Sequence, residues 1–263
     1  MVNIHKIKHF SPPWIIAHRG YPYKYPENTL AGFQAAVAAG VPMIELDVML
    51  SRDRKLVVIH DAALERTTNG HGAVNNYTLG ELKKLDAGSW FDAIFADQRL
   101  PELSEVLDLA GGRTRVNIEI KAQAYEHRHP PDAIEKQVVA MVKQKKMQDS
   151  VLISSFEIDF LVQVAAMEDP PAIALISHTP ASKRIVDICS HLKVFSWHPD
   201  HKIVTQRQVD MMHAAGLRVF PYNVDTFEDY ENMICMQADG VITDDPVAAN
   251  QWSGIRNAVS ACM

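Results

Sequence analysis

Short apolar segments alternate with amphipathic segments of helical spacing along nearly the whole chain of 263 residues. This alternation predicts an α/β fold in which helices connect parallel strands. The sequence has neither a Gly-x-Gly-x-x-Gly fingerprint nor a phosphate-binding loop, so it favours a closed (β/α)8 TIM-type barrel over a doubly wound sheet. The predicted strands cover residues 14–17, 43–50, 55–60, 115–121, 151–155, 172–177, 194–197, 218–224 and 240–244.

Nine predicted strands exceed the eight places of a barrel by one. The turn between the second and third strands is too short for a parallel crossover, so these two strands should form an antiparallel hairpin, which explains the surplus. Residues 62–112 are too many for a simple barrel loop, and we expect a small insertion there beside the mouth. A single barrel domain over residues 1–263 suits this length and a content of 47% hydrophobic residues.

The second strand carries two carboxylates in an otherwise apolar segment. Glu45 and Asp47 are two residues apart, so their side chains share one face of the strand. Two neighbouring buried carboxylates repel each other unless a positive charge lies between them, and a hard divalent metal ion is the simplest candidate. The alternative is a polar edge hairpin whose acids are exposed to solvent.

The hairpin predicts a neighbour for these carboxylates. If its turn centres on residues 52–54, residue 51 faces 56, and His60 lies directly opposite Asp47 on the same face. We therefore expect an imidazole beside the acidic pair.

Two further strands end on polar residues. The first ends on His18-Arg19-Gly20, although an ordinary turn at a strand end would also explain this tripeptide. The fourth carries Glu119 and Lys121 on one face, which adds a third carboxylate and a fixed positive charge. The alternative is a buried Glu–Lys pair that only neutralises itself. In a barrel, the active site lies where the carboxyl ends of the strands converge.

Charge and composition limit the possible partners. The formal net charge of −6 gives no general attraction to nucleic acid or to an anionic membrane surface, so we expect no nucleic acid partner. The sequence contains no run of about 18 apolar residues, so we expect no stable membrane insertion. Residues 1–10 lack the apolar core of a secretory signal, and three widely spaced cysteines do not form a disulfide framework, which together predict a cytoplasmic protein. The oligomeric state has no signal in the sequence.

Several motifs, taken together in their order and spacing, resemble the glycerophosphodiester phosphodiesterase family over nearly the whole chain. They are His18-Arg19-Gly20, the helix start at residues 26–29, Glu45-Leu46-Asp47-Val48, His60-Asp61, residues 64–70, Glu119-Ile120-Lys121 and Thr243-Asp244-Asp245-Pro246.

The resemblance implies a barrel hydrolase that cleaves small-molecule glycerophosphodiesters into sn-glycerol 3-phosphate and an alcohol. It also implies one divalent cation, Mg²⁺ or Ca²⁺. The matching positions are Glu45, Asp47 and Glu119 for the metal, His18 and His60 for acid/base catalysis, and Arg19 and Lys121 for phosphate contacts.

Phosphodiester hydrolysis requires such a set on chemical grounds. Cationic groups must neutralise the non-bridging oxygens, one base must activate the nucleophile, and one acid must protonate the leaving alkoxide. We assign His18 as the base and His60 as the acid, with water or a neighbouring glycerol hydroxyl as the nucleophile.

Some positions depart from the family pattern. Tyr222 stands where the family often has Trp, and it could pack against the glycerol moiety. Trp90, Phe91 and Phe156 could line the mouth of the barrel, but we interpret them as packing residues. The remaining histidines, including His71, His198 and His201, are interpreted as surface or loop residues.

Two alternatives stay open. A lysophospholipase D-like phosphodiesterase would need an apolar landing surface near the mouth, which the insertion does not obviously supply. A barrel that binds phosphodiesters without turnover would have no need of two histidines.

Overall fold

The computed structural model describes residues 12–260, so the predictions about residues 1–10 and Cys262 concern residues outside this range. Eight strands form one parallel sheet, and β3 pairs only with β2. The strands are β1 (Trp14–Ala17), β2 (Met43–Leu50), β3 (Leu56–Val58), β4 (Arg115–Ile120), β5 (Val151–Ser155), β6 (Ala172–Ser177), β7 (Ser196–Pro199), β8 (Arg218–Val219) and β9 (Gly240–Thr243). The α-helices are α1 (Leu30–Ala38), α2 (Leu79–Leu82), α3 (Leu103–Ala110), α4 (Ile134–Gln144), α5 (Ile158–Ala165), α6 (Lys183–Leu192), α7 (Gln206–Ala214), α8 (Phe227–Cys235) and α9 (Pro246–Ser260).

The parallel strands follow the order β8-β7-β6-β5-β4-β2-β1-β9, with helices between successive strands. Three backbone hydrogen bonds join residues 219–224 to residues 239–242 and bridge the gap between β8 and β9. The predicted (β/α)8 barrel is therefore confirmed. The segment predicted as a strand over residues 218–224 is regular only at Arg218–Val219, because Pro221 has no N–H to continue a ladder.

The β2–β3 hairpin is antiparallel, as predicted, but its register differs from the prediction by one residue. Leu50 pairs with Leu56 and Val48 with Val58, so residue 59, and not His60, falls opposite Asp47. The reason lies in the turn, where Arg54 adopts a left-handed conformation (φ 57°) and Ser51 pairs with Lys55 through a three-residue loop. The predicted register was wrong because it assumed a turn without this left-handed residue.

The strands bury different residues on their two faces. Outward-facing apolar side chains, such as Ile44 and Leu46 of β2, pack against the surrounding helices in the main core. Inward-facing side chains near the amino ends of the strands form a second cluster, in which the rings of Trp14 and Phe220 stack at 5.6 Å. Because this second cluster fills the barrel interior near the amino ends of the strands, the interior can hold polar groups near the carboxyl ends.

The segment after His60 has a small core of its own. Leu64, Val74 and Leu82 are buried together there with β3 residues. Helix α2 begins with a capping box in which Thr78 and Glu81 bond each other's backbone N–H groups. Helix α3, in contrast, packs in the main barrel core, so the separately packed part of residues 62–112 ends before α3.

Two glycine substitutions should affect stability in opposite ways. A Cβ at Gly240 would lie 2.2 Å from the carbonyl oxygen of Trp14, whereas a Cβ at Gly80 in α2 would meet no atom within 4 Å. We expect Gly240→Ala to lower the melting temperature by about 5 °C or more through overpacking. Gly80→Ala should leave it unchanged or raise it slightly. Equal thermal unfolding curves for the two variants would contradict the close packing of β9 on β1.

Candidate active site

A cleft of about 530 Å³ opens at the carboxyl ends of the strands. Of the eight residues that the sequence singled out for the site, seven line this cleft, and the eighth, Asp47, is fully buried beside them. The seven are His18, Arg19, Glu45, His60, Glu119, Lys121 and Tyr222. The structure thus brings together residues that lie up to about two hundred positions apart in the sequence.

Three buried carboxylates form the centre of the site. Glu45 and Asp47 share the inner face of β2, and the parallel register places Glu119 of β4 directly beside Asp47. One oxygen from each carboxylate lies within 4.8 Å of the others. Asn28 helps to hold this group, because its side-chain amide donates a 2.8 Å hydrogen bond to Asp47 Oδ2.

The electrostatics of these carboxylates fit a bound cation. Glu45 Oε1 and Asp47 Oδ1 are buried without a hydrogen-bond donor. Burial and the charge of Asp47 raise the pKa of Glu45 to about 8, and the same two causes raise the pKa of Glu119. Oxygen-only ligands that are buried, close together and under-satisfied suit a hard divalent ion such as Mg²⁺ or Ca²⁺.

Two fixed positive charges face the carboxylates. Lys121 Nζ lies 2.6 Å from Glu119 Oε1 and 3.3 Å from Asp47 Oδ1. Arg19 Nε lies 3.4 Å from Asp47 Oδ2, and the backbone N–H of Arg19 donates a 2.8 Å hydrogen bond to Glu45. Burial alone would raise the pKa of Asp47, but Lys121 and Arg19 lower it below its usual range. Lys121 is therefore more than the neutralising partner of Glu119, because it also contacts Asp47.

His18 lies at the tip of β1 and has a carboxylate partner. Its Nδ1 is 2.6 Å from Asp244 Oδ1, and the Asn223 amide contacts both of these atoms. Burial and Arg19 lower the pKa of His18, but the hydrogen bond to the Asp244 carboxylate and the charge of Glu45 outweigh them, so the pKa is raised. The carboxylate fixes the ring so that its other nitrogen, Nε2, is left for chemistry.

His60 has an equivalent arrangement on another wall of the cleft. Its Nδ1 lies 2.6 Å from Asp61 Oδ1. The regular β2–β3 ladder ends at Val58 and the chain then bends, which is why His60 reaches the cleft despite the register shift. Burial lowers the pKa of His60, although the charge of Asp47 opposes this effect.

The structure adds residues to this cleft that the sequence did not assign to it. The rings of Phe156 and His178 stack at 4.4 Å, and the Tyr222 hydroxyl is 2.8 Å from His178 Nδ1. Phe156 and His178 directly follow the ends of β5 and β6, and this position is the signal that could have identified them. The interpretation of His198 as a surface or loop residue was wrong, because it is fully buried on β7 and burial lowers its pKa to about 3.

The fold and the cleft define a barrel enzyme in which three clustered carboxylates lie beside two carboxylate-paired histidines and two fixed positive charges. Residues 18–248 match the model of the glycerophosphoryl diester phosphodiesterase family. The chain belongs to this family.

Similar proteins support this assignment. A glycerophosphodiester phosphodiesterase of Caldanaerobacter subterraneus is 40% identical over 233 residues, which cover 88% of this chain and 94% of the relative. One of Bacillus altitudinis is 35% identical, with coverage of 88% and 94%. A phosphodiesterase of Oleispira antarctica, solved in complex with the product sn-glycerol-3-phosphate, has a TM-score of 0.85 and 30% identity and covers 92% of this chain and 97% of its own. Among residues 12–260, no helix has the length and apolar character to cross a membrane.

Proposed function

We propose that this protein hydrolyses glycerophosphodiesters to sn-glycerol 3-phosphate and an alcohol with the help of one divalent cation. The observation that carries the proposal is the cluster of three buried carboxylates, in which Glu45 Oε1 and Asp47 Oδ1 accept no hydrogen bond, beside Arg19 and Lys121 in the cleft. The solved relative from Oleispira antarctica, which holds sn-glycerol-3-phosphate, supports the choice of substrate class.

Glu45, Asp47 and Glu119 would hold Mg²⁺ or Ca²⁺. Such a cation, when bound, neutralises charge on a non-bridging phosphate oxygen. Arg19 offers forked N–H donors to the same phosphate, and Lys121 offers a point charge. These two side chains orient the phosphodiester so that its leaving oxygen faces one histidine. The nucleophile, water or the neighbouring glycerol hydroxyl, then lies beside the other histidine.

His18 and His60 perform the proton transfers. One imidazole accepts through Nε2 the proton of the nucleophile, which is water or the neighbouring glycerol hydroxyl, and the other donates a proton to the leaving alkoxide. Attack by the glycerol hydroxyl gives a cyclic phosphate first, and water then opens it to sn-glycerol 3-phosphate. In both residues Nδ1 is bound to a carboxylate, Asp244 for His18 and Asp61 for His60, which stabilises the imidazolium form when the ring is protonated. Tyr222, with Phe156, forms the apolar wall against which the carbon chain of the substrate packs.

The direct test is product analysis with purified protein. Glycerophosphocholine should give glycerol 3-phosphate and choline in the presence of Mg²⁺ or Ca²⁺, with a chelator as the blank. Release of phosphocholine and glycerol would show cleavage of the other ester bond and contradict the proposed orientation. Binding of glycerophosphocholine without any product would favour the non-catalytic barrel.

One observation favours a second candidate function, lysophospholipase D-like cleavage of lipids. The structure differs here from the expectation that the insertion lacks an apolar landing surface. Trp90 and Ile94 of the insertion are 40% and 77% exposed, and Tyr23, in the loop after β1, is 66% exposed. From Trp90, ring contacts continue through Phe91 and Phe95 to Tyr25 at centroid distances of 5.5–5.8 Å.

The lipid function predicts a substrate-dependent effect of this surface. Trp90→Ser with Ile94→Ser should lower kcat/KM for long-chain lysophosphatidylcholine about tenfold or more, because each side chain contributes about 1.5–3 kcal/mol when it is buried against a lipid. Glycerophosphocholine hydrolysis should not change. Val162→Ser, which removes an exposed apolar side chain from α5, is the matched control. Equal activity of all variants on both substrates would remove the lipid candidate.

A further inference from the structure

Arg66, in the insertion, contacts two carboxylates from different parts of the sequence. Its Nη1 and Nη2 donate hydrogen bonds of 2.7 and 2.8 Å to the two oxygens of Glu27. Its Nε donates to Asp61 Oδ2. All three nitrogens of the Arg66 guanidinium therefore donate hydrogen bonds, two to one carboxylate and one to another. This arrangement suits the planar, forked geometry of arginine.

Each of these carboxylates also contacts a residue of the proposed reaction. Asp61 Oδ1 is 2.6 Å from His60 Nδ1, and Glu27 Oε1 accepts a 3.0 Å hydrogen bond from Arg19 Nη1. The five groups therefore form one continuous chain from the acid/base histidine to the phosphate-binding arginine.

The charges of Asp61 and Glu27 favour this connection. The hydrogen bond from Arg66 is the largest of the causes that lower the pKa of Asp61 to about 2. Burial alone would raise the pKa of Glu27, but the hydrogen bonds from Arg66 and Arg19 lower it. Both carboxylates are thus kept ionised as acceptors.

The backbone around Arg66 is held in place. Thr68 Oγ1 donates a 2.7 Å hydrogen bond to the Leu64 carbonyl and accepts one of 2.9 Å from the Gly70 N–H. Asn69 and Asp86 are joined by a backbone hydrogen bond and a side-chain hydrogen bond. Leu64 is buried in the core of the insertion. Because the turn is fixed at both ends, Arg66 differs from an ordinary surface ion pair, which usually contributes little.

We propose that Arg66 is a positioning residue through which the insertion orients both His60 and Arg19. This inference rests on the proposed function, since it concerns the same cleft. The insertion would then be part of the catalytic apparatus, because it supplies a side chain that ties the proton-transfer group to the phosphate-binding group.

The test compares Arg66→Ala with Arg52→Ala. Arg52 is a matched control, since it is also partly exposed and also bonds a carboxylate. It joins the hairpin to the insertion through Glu81 and the carbonyl of Asn76, and neither Asp61 nor Glu27 is among these partners. We expect Arg66→Ala to lower kcat about tenfold and to weaken glycerol 3-phosphate binding about tenfold, as is typical for residues that orient ligands. Arg52→Ala should change either quantity by less than threefold.

Variants of the two carboxylates that Arg66 contacts separate the effect on His60 from the effect on Arg19. Asp61→Asn should lower kcat but leave the calorimetric affinity for glycerol 3-phosphate unchanged, whereas Glu27→Gln should mainly weaken that affinity. Arg66→Ala should show both effects, and adding it to either partner variant should give less than the product of the single effects. Arg66→Lys keeps the charge without the fork, so it should restore only part of the loss. Additive effects in both double variants would overturn the proposal.

Failure of this inference can be told apart from failure of the proposed function. An active wild-type protein with an Arg66→Ala variant that behaves like Arg52→Ala would reject the role of Arg66 alone. A wild-type protein that binds glycerol 3-phosphate without turnover, and loses that affinity in Arg66→Ala, would reject the catalytic function and keep Arg66 as the residue that orients Arg19. If the Arg66→Ala variant melts at a much lower temperature than the Arg52→Ala variant, kcat and glycerol 3-phosphate affinity are compared between Arg66→Lys and Arg52→Ala instead.

Discussion

Replacing either His18 or His60 by alanine is expected to lower kcat on glycerophosphocholine by about 10²-fold or more. Each imidazole lines the cleft, and each is fixed by a carboxylate at 2.6 Å, so each variant removes one proton-transfer group that is already oriented. Initial rates of glycerol 3-phosphate release at saturating substrate measure the effect. A loss of less than tenfold in both variants would show that the pair does not carry the proton transfers.

The two roles are separated by the leaving group. A substrate with a very good leaving group, such as a p-nitrophenyl ester, needs little help from an acid, so it should partly rescue only the variant that lost the acid. The sequence-based assignment predicts rescue of His60→Ala. Rescue of His18→Ala alone would reverse the roles, which is the direction favoured by the raised pKa of His18 and the lowered pKa of His60 in the cation-free protein. Rescue of both variants would contradict any division into one acid and one base.

The His18→Ala and His60→Ala variants need a control for general damage to the cleft. His213→Ala is suitable because His213, on α7, also pairs with a carboxylate, at 2.9 Å from Asp239, but lies outside the cleft. Its kcat should stay within about threefold of the wild type, since residues that do not touch the substrate rarely change the chemical step. A comparable loss in His213→Ala would mean that loss of a partly buried histidine–carboxylate contact, and not loss of proton transfer, explains the His18→Ala and His60→Ala results.

Local patterns in the sequence predicted the barrel and the faces of its strands. The i, i+2 spacing of Glu45 and Asp47 fixed their common face, because side chains alternate along any strand. The contact of Asp47 with Glu119 could not be predicted in the same way. It depends on the register between β2 and β4, which is set by the packing of the whole barrel.

The errors of the sequence analysis have related causes. The hairpin register was wrong because the left-handed conformation of Arg54 is stabilised by distant partners, with Arg54 bonding Glu126 and Asp132 from the loop after β4. His198 was misplaced because nothing near it in the sequence shows that β7 points it inward. The Arg66 contacts join residues 61–66 to Glu27, which lies 39 positions from Arg66 in the sequence, and no local pattern reveals such an arrangement.

Glu45→Gln is expected to abolish cation-dependent activity and at the same time to stabilise the cation-free protein. The variant removes one of three proposed ligands, so kcat/KM with Mg²⁺ or Ca²⁺ should fall about 10²-fold or more. In the cation-free wild type, burial and Asp47 raise the pKa of Glu45 to about 8, whereas a glutamate in the unfolded chain has a pKa of about 4.3. The folded state therefore binds a proton that the unfolded state has released, and stability falls as the pH rises between these two values.

Glutamine cannot ionise, so the variant avoids this loss. In the presence of a chelator at pH 7–8, its melting temperature should exceed that of the wild type by about 5 °C, and the difference should shrink as the pH falls towards 4.5. Added Mg²⁺ or Ca²⁺ should raise the melting temperature of the wild type but not of the variant, because only the wild type binds the ion. The matched control is Glu135→Gln, which alters a buried glutamate paired with His129 outside the cleft and should keep its activity. If Glu45→Gln melted below the wild type in chelator, the carboxylates would be stabilising the fold, and the case for a cation site built at the expense of stability would fail.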